Sequence, residues 1–300
     1  MRLSEDELSA LLQVAVSAAT EAGNMIAQRA SQSVEVLHKT GGDSLASQVL
    51  TEVDLTSEAI ILKWLQPSCE QYDLALLTEE TTDDHSRLEK DYFWCVDPMD
   101  GTLSFIEATP GYAVAIALVT AAGFPVLGVV YDPVSHNLYT AVQGQGVRLN
   151  NQPWQPVTDQ PLQGKCLTLV CDRGFQQRSD YTAIKQALDA VSDNLGMTSV
   201  LVLDKRAGAI MSACWVLEHQ PACYFKLPKP QPGGGSLWDF AAIVAIFHEL
   251  GVVATDFHGE PLQLNRPDST FLNHHGVMFS SHQQLALAVY EQILKRISLA

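Results

Sequence analysis

The stretch YFWCVDPMDGT, Tyr92–Thr102, decides how the chain reads. Its five apolar residues, Tyr92 to Val96, form the kind of run that makes a buried strand, and the run stops at two carboxylates, Asp97 and Asp100, that flank Pro98. Carboxylates this close repel and raise each other's pKa unless a cation lies between them, so a divalent-metal site is the economical reading. A helical segment from Thr102 to Ala108 would add free N–H groups and a dipole aimed at any anion the metal holds. Asp, Pro and Gly are also ordinary turn residues, and a surface turn is the plain alternative. A second apolar run, Leu74 to Leu77, ends in Thr78, Glu79 and Glu80. Two strands that both end in acids favour one site at one sheet edge.

Composition narrows the possibilities. The 300 residues, 47% of them hydrophobic, suffice for one large or two moderate globular units. No apolar run is long enough to span a bilayer and the first residues, MRLSEDELSA, are acidic, so a soluble cytoplasmic protein with no membrane partner is expected. The six cysteines lack C-x-x-C spacing and sit mostly in apolar runs, which predicts buried thiols rather than zinc ligands or disulfides. A formal net charge of −16 argues against a nucleic-acid polymer as partner and leaves a small phosphorylated ligand open.

Taken in order, Ser4 to Ser31 has helical spacing with Ser4 and Glu7 as a capping box, Val34 to Leu37 reads as a strand, and His38 to Leu50 as a polar loop. Thr51 and Asp54 open a helix that ends near Pro67; capping accounts for both residues unless the helix start faces the acids. The charged stretch TTDDHSRLEKD reads as a solvated hairpin or loop in which His85 has no obvious partner. Gly111–Ala121, Pro125–Asp132 and His136–Val142 follow as strands with no helix between them, which implies an antiparallel sheet in the first half. From about Gln152 strand and helix alternate: strands at Cys166–Cys171, Thr198–Leu203, Ala222–Lys226, Val252–Thr255 and Val277–Ser280, helices at Arg178–Val191, Ala207–Glu218, Trp238–Leu250 and Gln283–Ile297. The fold class is α+β, a layered sandwich with two sheets, divided into an N-terminal half (1–150) and a C-terminal half (151–300).

The second half also carries PKPQPGGGSLWDFAAI, in which three glycines and Ser236 precede a helix with Asp239 in its first turn. A glycine run alone is weak support for phosphate binding, and no G-K-[ST] follows. Asp239 is either a helix cap or a third metal-binding carboxylate.

Together TEVD (Thr51–Asp54), TEE (Thr78–Glu80), DPMDGT (Asp97–Thr102) and GGGSLWD (Gly233–Asp239) resemble the inositol monophosphatase superfamily. These are magnesium-dependent, lithium-sensitive phosphomonoesterases that include 3'(2'),5'-bisphosphate nucleotidases and fructose-1,6-bisphosphatases. The resemblance implies an α-β-α-β-α sandwich and two or three Mg2+ ions. It implies that Glu79, Asp97 and the carbonyl of Met99 hold one ion, that Asp97 bridges to a second held by Asp100 and Asp239, and that Glu80 supports a weaker third through water. Asp54 would accept a hydrogen bond from Thr102, the pair orienting and deprotonating the attacking water, while the amides of Gly101 and Thr102 bind phosphate oxygens. Homodimers are common in the family.

One departure bears on substrate. Inositol monophosphatases carry a Glu in a context like A-Y-Y-E, where this chain has ACYFK ending in Lys226. An ammonium there favours a substrate with a second anionic group, such as adenosine 3',5'-bisphosphate, with Lys229 nearby and Arg206 as a further rim candidate. A solvent-facing lysine is the plain alternative. Inositol monophosphates, and behind them sugar bisphosphates and histidinol phosphate, remain alternative substrates, and a non-catalytic metal- or phosphate-binding regulator is the alternative from another class. Lys39 and Asp43 resemble the family's mobile metal loop, but their spacing to Thr51 departs from it and leaves them outside the site set.

Overall fold

The computed structural model describes residues 3–30, 32, 36–38, 49–156 and 160–296. Lys39 and Asp43 fall outside these, as does most of the expected loop. Helix α1 (Glu5–Arg29) begins with the expected capping box, the Ser4 amide donating to Glu7 at 2.7 Å. Strands β1 (Val36–His38) and β2 (Val49–Thr51) pair antiparallel, and β2 runs straight into α2 (Glu52–Tyr72).

The expectation that α2 stops near Pro67 is corrected: the helix continues to Tyr72. Pro67 lies on the exposed side, while Leu65 and Ser68 on the other side are buried and Ser68 accepts from Trp94 Nε1 at 2.9 Å. Packing of that face outweighs one lost backbone bond.

The first half builds a seven-stranded sheet in chain order from β3 (Ala75–Thr78), β4 (Tyr92–Asp100), β5 (Ala113–Thr120), β6 (Pro125–Asp132), β7 (Asn137–Val142), β8 (Gly146–Leu149) and β9 (Gln152–Pro153). From β4 to β9 every neighbour is antiparallel, as expected, while β3 joins β4 in parallel. The intervening charged stretch is therefore a crossover and not a hairpin. It is pinned by Arg87, which is buried and donates to Asp83 at 2.9 Å, to Asn265 at 2.6 Å and to the Arg266 carbonyl at 2.9 Å. His85, expected to be partnerless, sits 3.4 Å from Asp83.

The second half gives a five-stranded sheet in the order β11-β10-β12-β14-β13, from β10 (Cys166–Val170), β11 (Ser199–Leu203), β12 (Ala222–Lys226), β13 (Val253–Thr255) and β14 (Val277–Ser280). Its helices are α4 (Tyr181–Asn194), α5 (Ala209–Glu218), α6 (Leu237–Leu250) and α7 (Gln283–Arg296); the short α3 (Thr102–Ile106) follows β4. Three apolar clusters define the layers. One joins α1 and α2 to the outer face of the large sheet, through Trp94 and Val96 of β4. The central one packs α5 and α6 between the sheets and takes Phe93 and Cys95 of the same strand. The third covers the outer face of the small sheet with α4 and α7. The order is α-β-α-β-α, and β4 alternates its side chains between two of the layers. Cys95, Cys171, Cys214 and Cys223 are buried free thiols, with Cys69 and Cys166 half-buried. No described helix is long and apolar enough to cross a membrane.

Candidate active site

Strand alternation alone would send Asp97 and Asp100 to opposite faces of the sheet. The register prevents this: Asp97 pairs with Ala115 and Asp100 with Ala113, so three steps on β4 match two on β5. The extra residue is a β-bulge, and it turns both carboxylates toward the central layer. There they meet Asp239 from α6, one oxygen of each lying within 4.8 Å of the others.

Each acid is held differently. Asp97 is fully buried; its Oδ1 accepts the Met99 amide at 3.0 Å, and its Oδ2 has no hydrogen-bond partner among the described residues. Asp100 accepts the Ala209 and Ile210 amides, at 3.2 and 2.7 Å, at the start of α5. Gly208 allows this approach, since a Cβ there would lie 2.3 Å from both Asp100 oxygens. Asp239 is the N3 residue of a capping box and accepts the Ser236 amide. Asp54 is likewise N3 of the α2 capping box: its Oδ2 takes the Thr51 amide at 2.7 Å and the Thr51 hydroxyl at 2.6 Å. Its Oδ1 accepts Thr102 Oγ1 at 3.0 Å, and that hydroxyl also lies 3.3 Å from the Met99 carbonyl. The capping and site positions of Asp54 and Asp239, alternatives in the sequence, are compatible: Asp54 divides its two oxygens between Thr51 and Thr102, and Asp239 caps α6 while lying in the acid cluster.

Electrostatics follow from the crowding. Burial, then repulsion by Glu79 and Asp100, holds Asp97 well above the ordinary carboxylate range. Burial and Asp239 do the same to Asp100, against the opposing Ile210 amide and Lys226 charge. Burial and then Glu79 lift Asp239 to about 6, and burial, partly offset by Thr51, lifts Asp54 to about 6. A cluster of acids so resisted as anions is a site built for cations.

The other sequence candidates are placed as follows. Glu79 is half-buried and tied by its amide to the Val96 carbonyl at 3.2 Å, and Glu80 is half-buried beside it. Gly101 has φ +84°, and a Cβ on it would meet the Gly111 carbonyl oxygen at 2.4 Å, so the step from β4 into α3 needs glycine. Arg206 is exposed on the loop into α5, where its carbonyl accepts Ser104 Oγ at 2.7 Å. Lys226 is not solvent-facing: its Nζ lies 2.8 Å from Asp172 Oδ2.

Several positioning residues had no sequence signal. Buried Glu58 accepts from the Thr78 and Thr81 hydroxyls, fixing the TEE turn, and Ser57 Oγ donates to the Pro98 carbonyl at 2.7 Å, fixing the bulge. Their i, i+1 places on α2, just after Asp54, are their only trace.

The profile of the inositol monophosphatase family matches residues 7–297. The chain belongs to the inositol monophosphatase family. It is 32% identical over 253 residues to the Nus factor SuhB of Escherichia coli K12, covering 83% of this chain and 86% of that protein. Among solved structures, the suhB protein of Bartonella henselae superposes with TM-score 0.73 at 20% identity, over 96% of this chain and 100% of that one. SaIMPase-II, solved with 2'AMP bound, has TM-score 0.69 at 22% identity over 95% of each chain. The inositol monophosphatase family is one of metal-dependent phosphatases, and this member is a phosphoric monoester hydrolase acting on small phosphorylated substrates. Its donor set fits magnesium: hard carboxylate oxygens, and in Asp97 Oδ2 a buried carboxyl oxygen with no hydrogen-bond partner among the described residues.

Proposed function

We propose that this phosphatase hydrolyses a small phosphomonoester carrying a second anionic group, adenosine 3',5'-bisphosphate being the type, with inositol monophosphate the alternative. The observation that carries this is Lys226. Its ammonium is held by Asp172 and favoured by the charges of Asp239 and Asp100, at the place where the family resemblance leads one to expect a Glu. Asp172 occupies one of its three N–H donors, so the pair aims the ammonium and leaves donors for substrate oxygens. SaIMPase-II, solved with 2'AMP bound, supports a nucleotide as a ligand that this fold can accept.

In this reading, Glu79, Asp97, Asp100, Asp239 and the Met99 carbonyl, with Glu80 supporting the weakest, would hold two or three Mg2+ ions, whose charge would be supplied to phosphoryl oxygens and to water. The protein's own groups do the rest. Thr102 Oγ1 orients the attacking water and relays its proton to Asp54 Oδ1, the oxygen not committed to Thr51. Burial, which raises Asp54 to about 6 without metal, favours its uptake of that proton. The amides of Gly101 and Thr102 meet the phosphate, and Arg206 lies on the rim. The test is phosphate release from adenosine 3',5'-bisphosphate, inositol 1-phosphate and fructose 1,6-bisphosphate by wild type and Lys226→Glu. Preference for a bisphosphate that Lys226→Glu abolishes is expected; equal turnover of all three by wild type would refute the lysine's role. The name Nus factor borne by the sequence relatives favours a second reading, a metal- or phosphate-binding regulator that keeps the fold without hydrolysing an ester. It gains ground if no ester is hydrolysed at any magnesium concentration.

A further inference from the structure

Lys226 is paired by the geometry of the small sheet. Strands β10 and β12 run parallel with Val170 opposite Tyr224, so two residues further along Asp172 comes opposite Lys226 at the same sheet edge. Asp172 uses both oxygens there: Oδ1 accepts the Tyr224 hydroxyl at 2.8 Å and Oδ2 accepts Lys226 Nζ at 2.8 Å. Tyr224 is fully buried, so the carboxylate is anchored from below and the ammonium from the side.

The same ammonium feels a second set of anions. Burial works against its charge, while Asp172 first and then Asp239 and Asp100 favour it. Asp239 and Asp100 belong to the acid cluster, and a lysine has a flexible four-carbon stem that lets its head turn from one carboxylate toward another when its partner is lost. An ammonium seated on those oxygens would occupy the donors a divalent cation needs.

We propose that Asp172 is a positioning residue that holds the Lys226 ammonium off the metal-binding carboxylates Asp100 and Asp239, so that the lysine serves the substrate side of the site instead of competing with magnesium. The proposal rests on the assignment of Asp100 and Asp239 as magnesium ligands, and is independent of which substrate Lys226 meets. It makes Asp172 a determinant of metal affinity although it touches no metal.

The test is a double-mutant cycle read as the Mg2+ concentration that half-saturates the thermal shift of the metal-stripped full chain, with no substrate present. Asp172→Asn frees the lysine and should raise that concentration by about 10- to 100-fold, the usual effect of losing an outer-shell partner. Lys226→Gln alone should change it little, because the pair it dismantles is neutral. The double variant should return close to wild type, and Asp172→Glu should behave as wild type. Should Asp172→Asn fail to fold, Asp172→Ser carries the same cycle. An unchanged midpoint in the Asp172 variant overturns the proposal. So does an additive cycle, in which Lys226→Gln tightens magnesium as much as Asp172→Asn weakens it, since that is the behaviour of two fixed charges and not of a lysine that moves. A wild type without any magnesium shift would remove the ligand assignment beneath it, whereas a lost bisphosphate preference would leave the cycle unaffected.

Discussion

Stripped of metal, this protein should become less stable as the pH rises from about 5 to about 8. Asp54 and Asp239 each rise from the ordinary 3.8 to about 6 on folding, chiefly through burial, and Asp97 and Asp100 are displaced in the same direction. A raised folded-state pKa means that the folded form binds the proton more tightly than the unfolded one. The stabilisation is therefore complete below about pH 4 and is lost as the pH climbs through about 6. A rise of that size corresponds to about 3 kcal/mol per group. Unfolding a chain of this length carries roughly 0.6 kcal/mol of entropy per degree, so one such group moves the melting temperature by about 5 °C. The acids interact, and the total is smaller than the sum. His219 and His248, which burial holds below the usual imidazole value, pull the other way in this window. The decisive quantity is therefore the difference between melting curves in chelator and in magnesium, taken by scanning fluorimetry across that range. Magnesium binds the deprotonated acids, so its shift should grow with pH. In chelator at about pH 8, Asp97→Asn should melt above wild type and respond little to magnesium. A magnesium shift independent of pH, or an Asp97→Asn protein that melts lower than wild type in chelator, would refute the idea that crowded, buried charge dominates this site.

Two further outcomes follow from the geometry. Thr102→Ala removes the hydroxyl that bridges Asp54 Oδ1 and the Met99 carbonyl, and should lower turnover by about 10²- to 10⁴-fold while leaving the magnesium midpoint of the thermal shift nearly unchanged; a variant that lost metal affinity alone would contradict the water-orienting role. Gly208→Ala drives a methyl into the Asp100 carboxylate and should cost about 1–3 kcal/mol of stability by denaturant unfolding together with magnesium affinity, whereas wild-type values for both would show that the α5 loop moves freely.

The sequence exposed those parts of the site whose chemistry is written in consecutive residues. Tyr92 to Val96 followed by two acids, Leu74 to Leu77 followed by TEE, and Ser236 with Asp239 at a helix start each carry strand or cap signals beside the functional side chain. The ends of β12 and β14 were legible for the same reason, as uninterrupted apolar runs. What stayed hidden depends on pairing between distant segments. The bulge that turns Asp97 and Asp100 to one face exists only relative to Ala113 and Ala115 on β5. Arg87 looked like part of a solvated stretch because its partners, Asn265 and Arg266, lie almost two hundred residues away. Asp172 becomes the partner of Lys226 only through the β10–β12 register. Pro67 misled for the opposite reason: its local signal was real, and packing overrode it.

Helix starts explain how this interior tolerates so much negative charge. Asp54 and Asp239 bond to the amides of the cap residues of α2 and α6, and Asp100 borrows the first two amides of α5. These bonds favour the ionised carboxylate and oppose burial, which alone would neutralise it. The cap therefore does chemical service: it opposes the neutralising effect of burial and fixes how each carboxylate is aimed. Asp97 lacks this support. It sits on a strand, takes a single amide from Met99, and among the described residues leaves Oδ2 with no hydrogen-bond partner in a fully buried setting. Of the carboxylates in the cluster it has the least support as an anion from the described residues, so its replacement should do most to sever the protein from magnesium while relieving the most charge repulsion in its absence.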